Sequence, residues 1–233
     1  MTTVAETSLL RDPSFRNLYL ASAVSQFGTQ VGYVAMPLVA VIALKAGAGE
    51  VGLLSALSTI TVLVLGLPAG AWVDRVRRRP VMIAMDLVRA VFLVSVTVAW
   101  WLDALTMTHL YGVAIATGVG TLFFDIASQS TIPHLVGRDR LTAANSMLVG
   151  TSAAMDVGGR STAGVLVTLI GAPVAILLDA LTYLVSAVWL RRISKPEPPS
   201  APVPGERLGR QIGEGCDSSS ATRSSSPSRR RAA

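Results

Sequence analysis

Residues 51–102 read VGLLSALSTITVLVLGLPAGAWVDRVRRRPVMIAMDLVRAVFLVSVTVAWWL, two long apolar runs joined by a short basic segment. Each run is long enough to cross the roughly 30 Å hydrocarbon core of a bilayer as a helix, which takes about 20 residues. Backbone polar groups in lipid must be paired within the segment, so the runs are predicted to be helices. This stretch therefore predicts an integral membrane protein.

The same alternation of apolar runs and short polar segments continues along most of the 233 residues. Hydrophobic residues make up 51% of the chain, charged residues only 15%, and the mean hydropathy is +0.55. An ordinary soluble domain has about 25% charged residues. The predicted fold class is all-α, a polytopic six-helix transmembrane bundle. Its spans are predicted at residues 18–44, 51–73, 81–102, 110–132, 141–170 and 173–190.

Basic residues are distributed unequally between the two sides of this predicted bundle. Eleven Lys and Arg residues fall on the side of the N-terminus, against only Lys45 on the other. The eleven are Arg11, Arg16, Arg75, Arg77, Arg78, Arg79, Arg138, Arg140, Arg191, Arg192 and Lys195. The positive-inside rule makes this side cytoplasmic, so we predict a multi-pass cell-membrane protein with both termini in the cytoplasm. The net charge of +6 is then a topology signal, and no nucleic-acid partner is predicted.

The chain divides into three predicted segments. Residues 1–17 form a cytoplasmic N-terminus, 18–192 the bundle, and 193–233 a tail rich in Pro, Ser and Arg that we expect to be disordered. The only cysteine, Cys216, excludes a disulfide within the chain. His109 and His134 are predicted at opposite membrane faces, and the sequence has no Ser/His/Asp or HExxH pattern, so neither an enzyme nor a cofactor is predicted.

The loop between the second and third predicted helices carries GAWVDRVRRRP at residues 70–80. The positive-inside rule accounts for its arginines but not for Asp74. A carboxylate at the C-terminal end of a helix opposes the helix dipole, so Asp74 indicates a specific partner. Gly70, one turn earlier, would permit the close approach of another helix.

This loop resembles the G-x-x-x-D-R-x-G-R-R motif of major facilitator superfamily transporters, with Arg77 in place of the second glycine. The matching residues are Gly70, Asp74, Arg75, Arg78 and Arg79. Further stretches, at 11–22, 123–136, 140–146 and 171–187, are similar to the branch that contains siderophore exporters and macrolide or multidrug efflux pumps. The resemblance covers about residues 11–215 and includes the six-span topology.

The resemblance implies a fold and a function. Transporters of this kind have twelve helices in two six-helix bundles around a central small-molecule site, so this chain would be the N-terminal half. The implied activity is secondary active export of small amphipathic molecules, drugs or siderophores, by alternating access. Asp74 would cap a helix of the second half and close the cytoplasmic gate, and Arg75 and Arg78 would belong to the same charge network.

Six ionisable residues fall inside the predicted spans, where charges are costly and are functional candidates. At similar depth below the cytoplasmic face, Arg89 and Asp125 are predicted to pair between the third and fourth helices. Asp156 and Arg160 lie one turn apart on the fifth helix and are predicted to neutralise each other. The six are Asp86, Arg89, Asp125, Asp156, Arg160 and Asp179.

Two glutamines, Gln26 and Gln30, share one face of the first predicted helix near the middle of the membrane. They are candidates either for a substrate cavity or for hydrogen bonds to a neighbouring helix, and the sequence leaves both open. In the fifth helix, the chain has Gly159-Arg160 where related transporters usually have Gly-Pro. A charge in place of a kink residue is expected to disturb helix packing or the cavity lining.

The resemblance to twelve-helix transporters leads us to expect a truncated protein. With G+C-rich codons, residues 216–223 read one base earlier would resemble the approach to a seventh helix, which gives the hypothesis of a frameshift near residue 216. The alternative is a genuine low-complexity tail. The alternative function is a non-transporting membrane fragment that needs a second six-helix half or a homodimer.

Overall fold

The computed structural model describes residues 9–193, apart from the side chain of Arg138. No strand occurs within this described range, and the predicted all-α fold is confirmed. Apart from Ile193, the tail expected to be disordered at residues 193–233 lies outside the described residues. The helices are α1 (Pro13–Leu44), α2 (Ala48–Val73), α3 (Arg78–Trp101), α4 (Met107–Val136), α5 (Leu141–Ile170) and α6 (Ala172–Arg191), with a 3-10 turn at Arg138–Arg140 between α4 and α5.

Five of these helices are long and apolar enough to cross a membrane, against six predicted spans. The exception is α5, whose bounds match the predicted span 141–170 but which contains Asp156, Arg160 and several serines, threonines and glycines. These residues lower its hydropathy below that of its neighbours. The passage of α5 through the bilayer therefore stays a prediction.

Large apolar side chains cover much of the outer surface of the bundle. On α2, Leu63 is 80% exposed and Leu67 is 72% exposed, and α2 has the smallest buried share among the five candidate spans. An apolar exterior of this extent suits lipid tails and would promote aggregation in water. The structure thus agrees with a lipid bilayer as the surrounding medium.

The helix ends follow local sequence rules. Asp12 caps α1, since its carboxylate accepts a hydrogen bond of 2.9 Å from the backbone N–H of Ser14, and Pro13 occupies the first helical position. Lys45 ends α1 in the left-handed conformation, with φ 53°. Gly171, with φ 82°, ends α5 and allows α6 to begin at the next residue.

The helices pack in a defined order around α1 and α4. α6 packs extensively against α1 and α3, α4 lies between α3 and α2, and α5 packs mainly against α1. Near the start of α6, the Thr97 hydroxyl of α3 donates a hydrogen bond of 3.1 Å to the carbonyl of Pro173. Two buried apolar clusters fill the interior, one around Val31, Leu93 and Leu110 and the other around Phe15, Met82 and Leu190.

Candidate functional site

Buried and half-buried polar side chains lie between these two apolar clusters. We refer to Ser25, Asp86, Arg89, Thr121 and Asp179 as the polar layer. At its centre, Arg89 and Asp86 form an ion pair along α3, with Asp86 fully buried and Arg89 1% exposed. Two charges taken out of water require this kind of mutual compensation.

The predicted pairing of Arg89 with Asp125 is wrong. Arg89 pairs instead with Asp86, which lies three residues earlier and hence on the same face of α3. Asp125 is half-buried on α4 and interacts with Arg89 only through the longer-range electrostatic field. Similar depth in the membrane was thus a poorer guide to pairing than position along one helix.

Arg89 joins α3 to three other helices. Its Nη2 donates a hydrogen bond of 3.2 Å to the Ser25 hydroxyl of α1, and its Nη1 one of 3.4 Å to the Thr121 hydroxyl of α4. The guanidinium carbon lies 4.8 Å from the centre of the Phe124 ring and 4.1 Å from that of Tyr183 on α6. Cation–π contact is strongest when both groups are desolvated, as they are here.

Asp179 of α6 is a second buried carboxylate in the polar layer, 2% exposed. It packs against α1, where a Cβ on either Gly28 or Gly32 would lie 2.4 Å from one of its carboxylate oxygens. Its Oδ1 has no hydrogen-bond partner within residues 9–193. One turn further along α6, the Tyr183 and Thr29 hydroxyls are 3.0 Å apart and hydrogen-bonded.

A cavity of about 260 Å³ lies beside Asp179. Residues from every helix except α5 line it. Met36 and Leu54 contribute apolar walls, while Ser58 and Thr121 contribute hydroxyl groups. The cavity therefore combines an apolar surface with a carboxylate and a few hydroxyls, which is the composition typical of small-molecule sites.

Gln30 connects α1 to α5 and lies outside this cavity. Its Nε2 donates to Asp156 Oδ1, and its Oε1 accepts a hydrogen bond of 2.9 Å from Arg160 Nε. Asp156 Oδ1 and Arg160 Nη2 are 4.0 Å apart, so the predicted pair is confirmed with Gln30 as a bridge. Gln30 thus follows the helix-bonding alternative, and neither Gln26 nor Gln30 lines the cavity.

The Gly159-Arg160 pair does not interrupt α5, which is continuous from Leu141 to Ile170. A Cβ on Gly159 would lie 2.8 Å from Cβ of Gln30, so this glycine lets α5 approach α1 closely. The expected disturbance of helix packing by Arg160 is therefore not seen in α5. Its side chain is 61% exposed and reaches back to Gln30.

The motif loop lies at the surface, between α2 and α3. Asp74 forms the C-terminal cap of α2, and both Asp74 and Arg75 are exposed. Among the described residues, Asp74 makes no ion pair, and a Cβ on Gly70 would meet no atom within 4 Å. The predicted partner helix of Asp74 and Gly70 is thus not found within residues 9–193.

One motif residue, Arg79, binds the C-terminal end of α6. Its Nε donates a hydrogen bond of 2.9 Å to the carbonyl of Leu190, and its Nη2 donates to that of Arg191. Asn17 of α1 donates a further hydrogen bond of 3.0 Å to the carbonyl of Arg192. A cation near the last carbonyls of a helix also interacts favourably with the helix dipole. The start of α3 is thereby fixed to the end of α6.

A comparison with known protein families shows which class of membrane protein this chain belongs to. A family model described as transmembrane secretion effector, within the major facilitator superfamily, matches residues 4–230. The chain belongs to this family. The chain is therefore a multi-pass membrane transporter of the superfamily type. No curated protein matches its sequence significantly.

Several residues that form the site were not predicted from the sequence. On α1, Ser25, Gly28, Thr29 and Gly32 recur at spacings of three and four, so they form one small and polar stripe of the helix. That periodicity was available in the sequence. The position of Tyr183 beside Arg89 could not be predicted from the sequence, because it depends on how α6 packs against α3.

Proposed function

We propose that this transporter is a secondary active exporter of small amphipathic molecules, drugs or siderophores, that works by alternating access. The observation that carries the proposal is the polar layer, where Arg89, Asp86 and Asp179 are buried midway along apolar helices. Ionisable groups inside a membrane are costly, and in transporters they mark substrate and ion pathways. The family description, a secretion effector, supports the outward direction of transport.

A second six-helix unit would complete the transport path. Superfamily transporters consist of two six-helix halves that rock around a shared site. On α5 and on α2 beyond its first turn, six glycines meet no neighbouring atom within 4 Å, and small residues of this kind permit close helix packing. We propose that these faces of α2 and α5 contact a separate second half or a second copy of the chain. The glycines are Gly52, Gly66, Gly70, Gly150, Gly158 and Gly164.

In this proposal, the gate motif contacts the second unit. Asp74 and Arg75 are exposed at the end of α2, beside the α2 face that would meet the second unit. Asp74 would cap a helix of that unit, and exposed ion pairs there would break and reform at little free-energy change. The basic side of the bundle, including this loop, would face the cytoplasm of a cell-membrane protein.

Export from whole cells tests the proposal. Cells that express the 233-residue chain are loaded separately with a cationic, a neutral and an anionic fluorescent compound, and loss of fluorescence is compared with vector-only cells. We expect faster export of at least one compound, and loss of that export in Asp74→Asn. Asp103→Asn, an exposed carboxylate in the α3–α4 loop, is the matched control and should retain export.

Membrane insertion is measured in the same cells by fractionation. If the chain inserts but exports none of the three compounds, the transport proposal fails for the chain alone. The alternative, a non-transporting fragment that needs a second half, would then hold. Export by Asp74→Asn at the wild-type rate would contradict the gate role of that residue.

A further inference from the structure

The carboxylate of Asp179 combines deep burial with incomplete hydrogen bonding. Only 2% of the residue is exposed, and its Oδ1 has no hydrogen-bond partner in the described part of the chain. An unsatisfied buried polar atom carries a large desolvation penalty, larger still for a charged group. Asp179 also lines the 260 Å³ cavity, so its carboxyl group borders the space that a ligand would occupy.

The carboxylate that lines the cavity favours a positive ligand. Arg89 interacts electrostatically with three carboxylates, those of Asp86, Asp125 and Asp179. Of these four residues only Asp179 lines the cavity, so its carboxyl group is the one that faces a ligand. The guanidinium is already bound to Asp86 and to the Ser25 and Thr121 hydroxyls, and within residues 9–193 it makes no hydrogen bond to Asp179.

The shape and lining of the cavity favour an organic cation over a metal ion. At about 30 Å³ for each water molecule, 260 Å³ has room for about eight or nine waters, far more than a single ion needs. Calcium requires six to eight oxygen ligands, yet Met36, Leu54 and Leu93 supply much of the wall. Within residues 9–193, no three His, Cys, Asp or Glu side chains converge as a metal site.

We propose that this cavity binds the ammonium group of an amphipathic organic cation, with Asp179 as its counter-ion. The apolar part of the ligand contacts Met36, Leu54 and Leu93, and the Ser58 and Thr121 hydroxyls lie along the polar side. The proposal rests on the proposed transport function for its biological meaning, because it names the substrate class. The binding itself requires only the folded bundle.

Direct binding to the purified full chain in detergent tests this. The probes are benzyltrimethylammonium and phenylmethanesulfonate, which are similar in size and opposite in charge, and binding is followed by isothermal titration calorimetry. We expect the cation to bind and the anion not to bind. Asp179→Asn should weaken cation binding about tenfold or more, because the variant removes the negative charge that attracts the quaternary ammonium in a site of low dielectric constant. Asp103→Asn, exposed and outside the cavity, should bind like the wild type.

A second variant covers the case in which Asp179→Asn does not fold. Ser55 lines the cavity but is exposed, so Ser55→Phe should narrow the cavity without removing a buried group, and it should also weaken cation binding. Equal binding of both probes, no cation binding by the wild type, or unchanged binding in folded Asp179→Asn would overturn the proposal. Cation binding without cellular export would leave this site standing and remove the transport function. Export of only neutral or anionic compounds, without cation binding, would overturn the proposed cation site and leave the transport function standing.

Discussion

The guanidinium carbon of Arg89 lies 4.1 Å from the centre of the Tyr183 ring, so that a charge on α3 rests against an aromatic face on α6. The same guanidinium binds Asp86 and reaches α1 and α4 through Ser25 and Thr121. A single side chain therefore holds four helices in the middle of the bundle.

Arg89→Gln should strongly destabilise the bundle, because it leaves the fully buried Asp86 without a counter-charge. We expect a decrease of about 3–5 kcal/mol in the free energy of unfolding, measured by denaturant titration in detergent with circular dichroism. The double variant Asp86→Asn/Arg89→Gln removes both charges and should recover much of this loss. Arg75→Gln, at an exposed position, should change stability by less than about 0.5 kcal/mol. A double variant as unstable as the single one would contradict the pairing.

Gly28→Ala should separate α1 from α6. The added Cβ would lie 1.9 Å from Thr182 Oγ1 and 2.4 Å from Asp179 Oδ1, too close for either to remain in place. Overpacking of this kind destabilises by about 1–3 kcal/mol or more. The control is Gly112→Ala on α4, where nothing lies within 4 Å and the higher helix propensity of alanine should add up to about 1 kcal/mol. Equal unfolding midpoints for the two variants would refute the close contact.

Arg79→Ala should loosen the last turn of α6. It removes the hydrogen bonds to the Leu190 and Arg191 carbonyls, which are charge-assisted and together contribute about 1.5–3 kcal/mol. Hydrogen exchange in a peptide that covers residues 187–193 should become about tenfold faster or more. Arg77→Ala, which changes an exposed arginine of the same loop, should leave this exchange unaltered. Unchanged protection in Arg79→Ala would show that the contact does not stabilise the helix end.

The membrane orientation gives a labelling prediction. In a Cys216→Ser background, Ala104→Cys in the α3–α4 loop should react with a membrane-impermeant maleimide added to intact cells. Arg77→Cys, in the basic loop, should react only after the membrane is permeabilised. Both side chains are exposed, so a difference in labelling reports the side of the membrane and not burial. The reverse pattern would place the basic loop outside.

The fold followed from the sequence more readily than the site did. Apolar runs and short loops were sufficient for the six helices, since lipid leaves an unpaired backbone few alternatives. The bounds of α5 were predicted well. Its hydropathy is lower than that of the helices next to it, partly because it contains Asp156 and Arg160, and these two side chains are compensated by Gln30 of α1. A hydropathy profile cannot show a partner that lies 126 residues away in the chain.

Partners of charged residues within one helix could be predicted from the sequence, whereas partners on another helix could not. The Asp156–Arg160 pair was correctly predicted from its spacing of four residues, and the same rule applied to Asp86 would have identified the partner of Arg89. Contacts between helices, such as Arg79 with the end of α6, depend on which helices are neighbours. That information is in the packing of the whole bundle and not in any local pattern.

The attachments between α3 and α6 have a mechanical consequence. Thr97 binds Pro173 at one end of the pair, Arg79 binds Leu190 at the other, and Arg89 rests on Tyr183 between them. Two helices joined at three depths resist both sliding and rotation about their own axes. We expect α3 and α6 to move as one rigid body in any rearrangement of the bundle. Elastic deformation would then be concentrated in α2, whose side chains are the least enclosed of the five candidate spans.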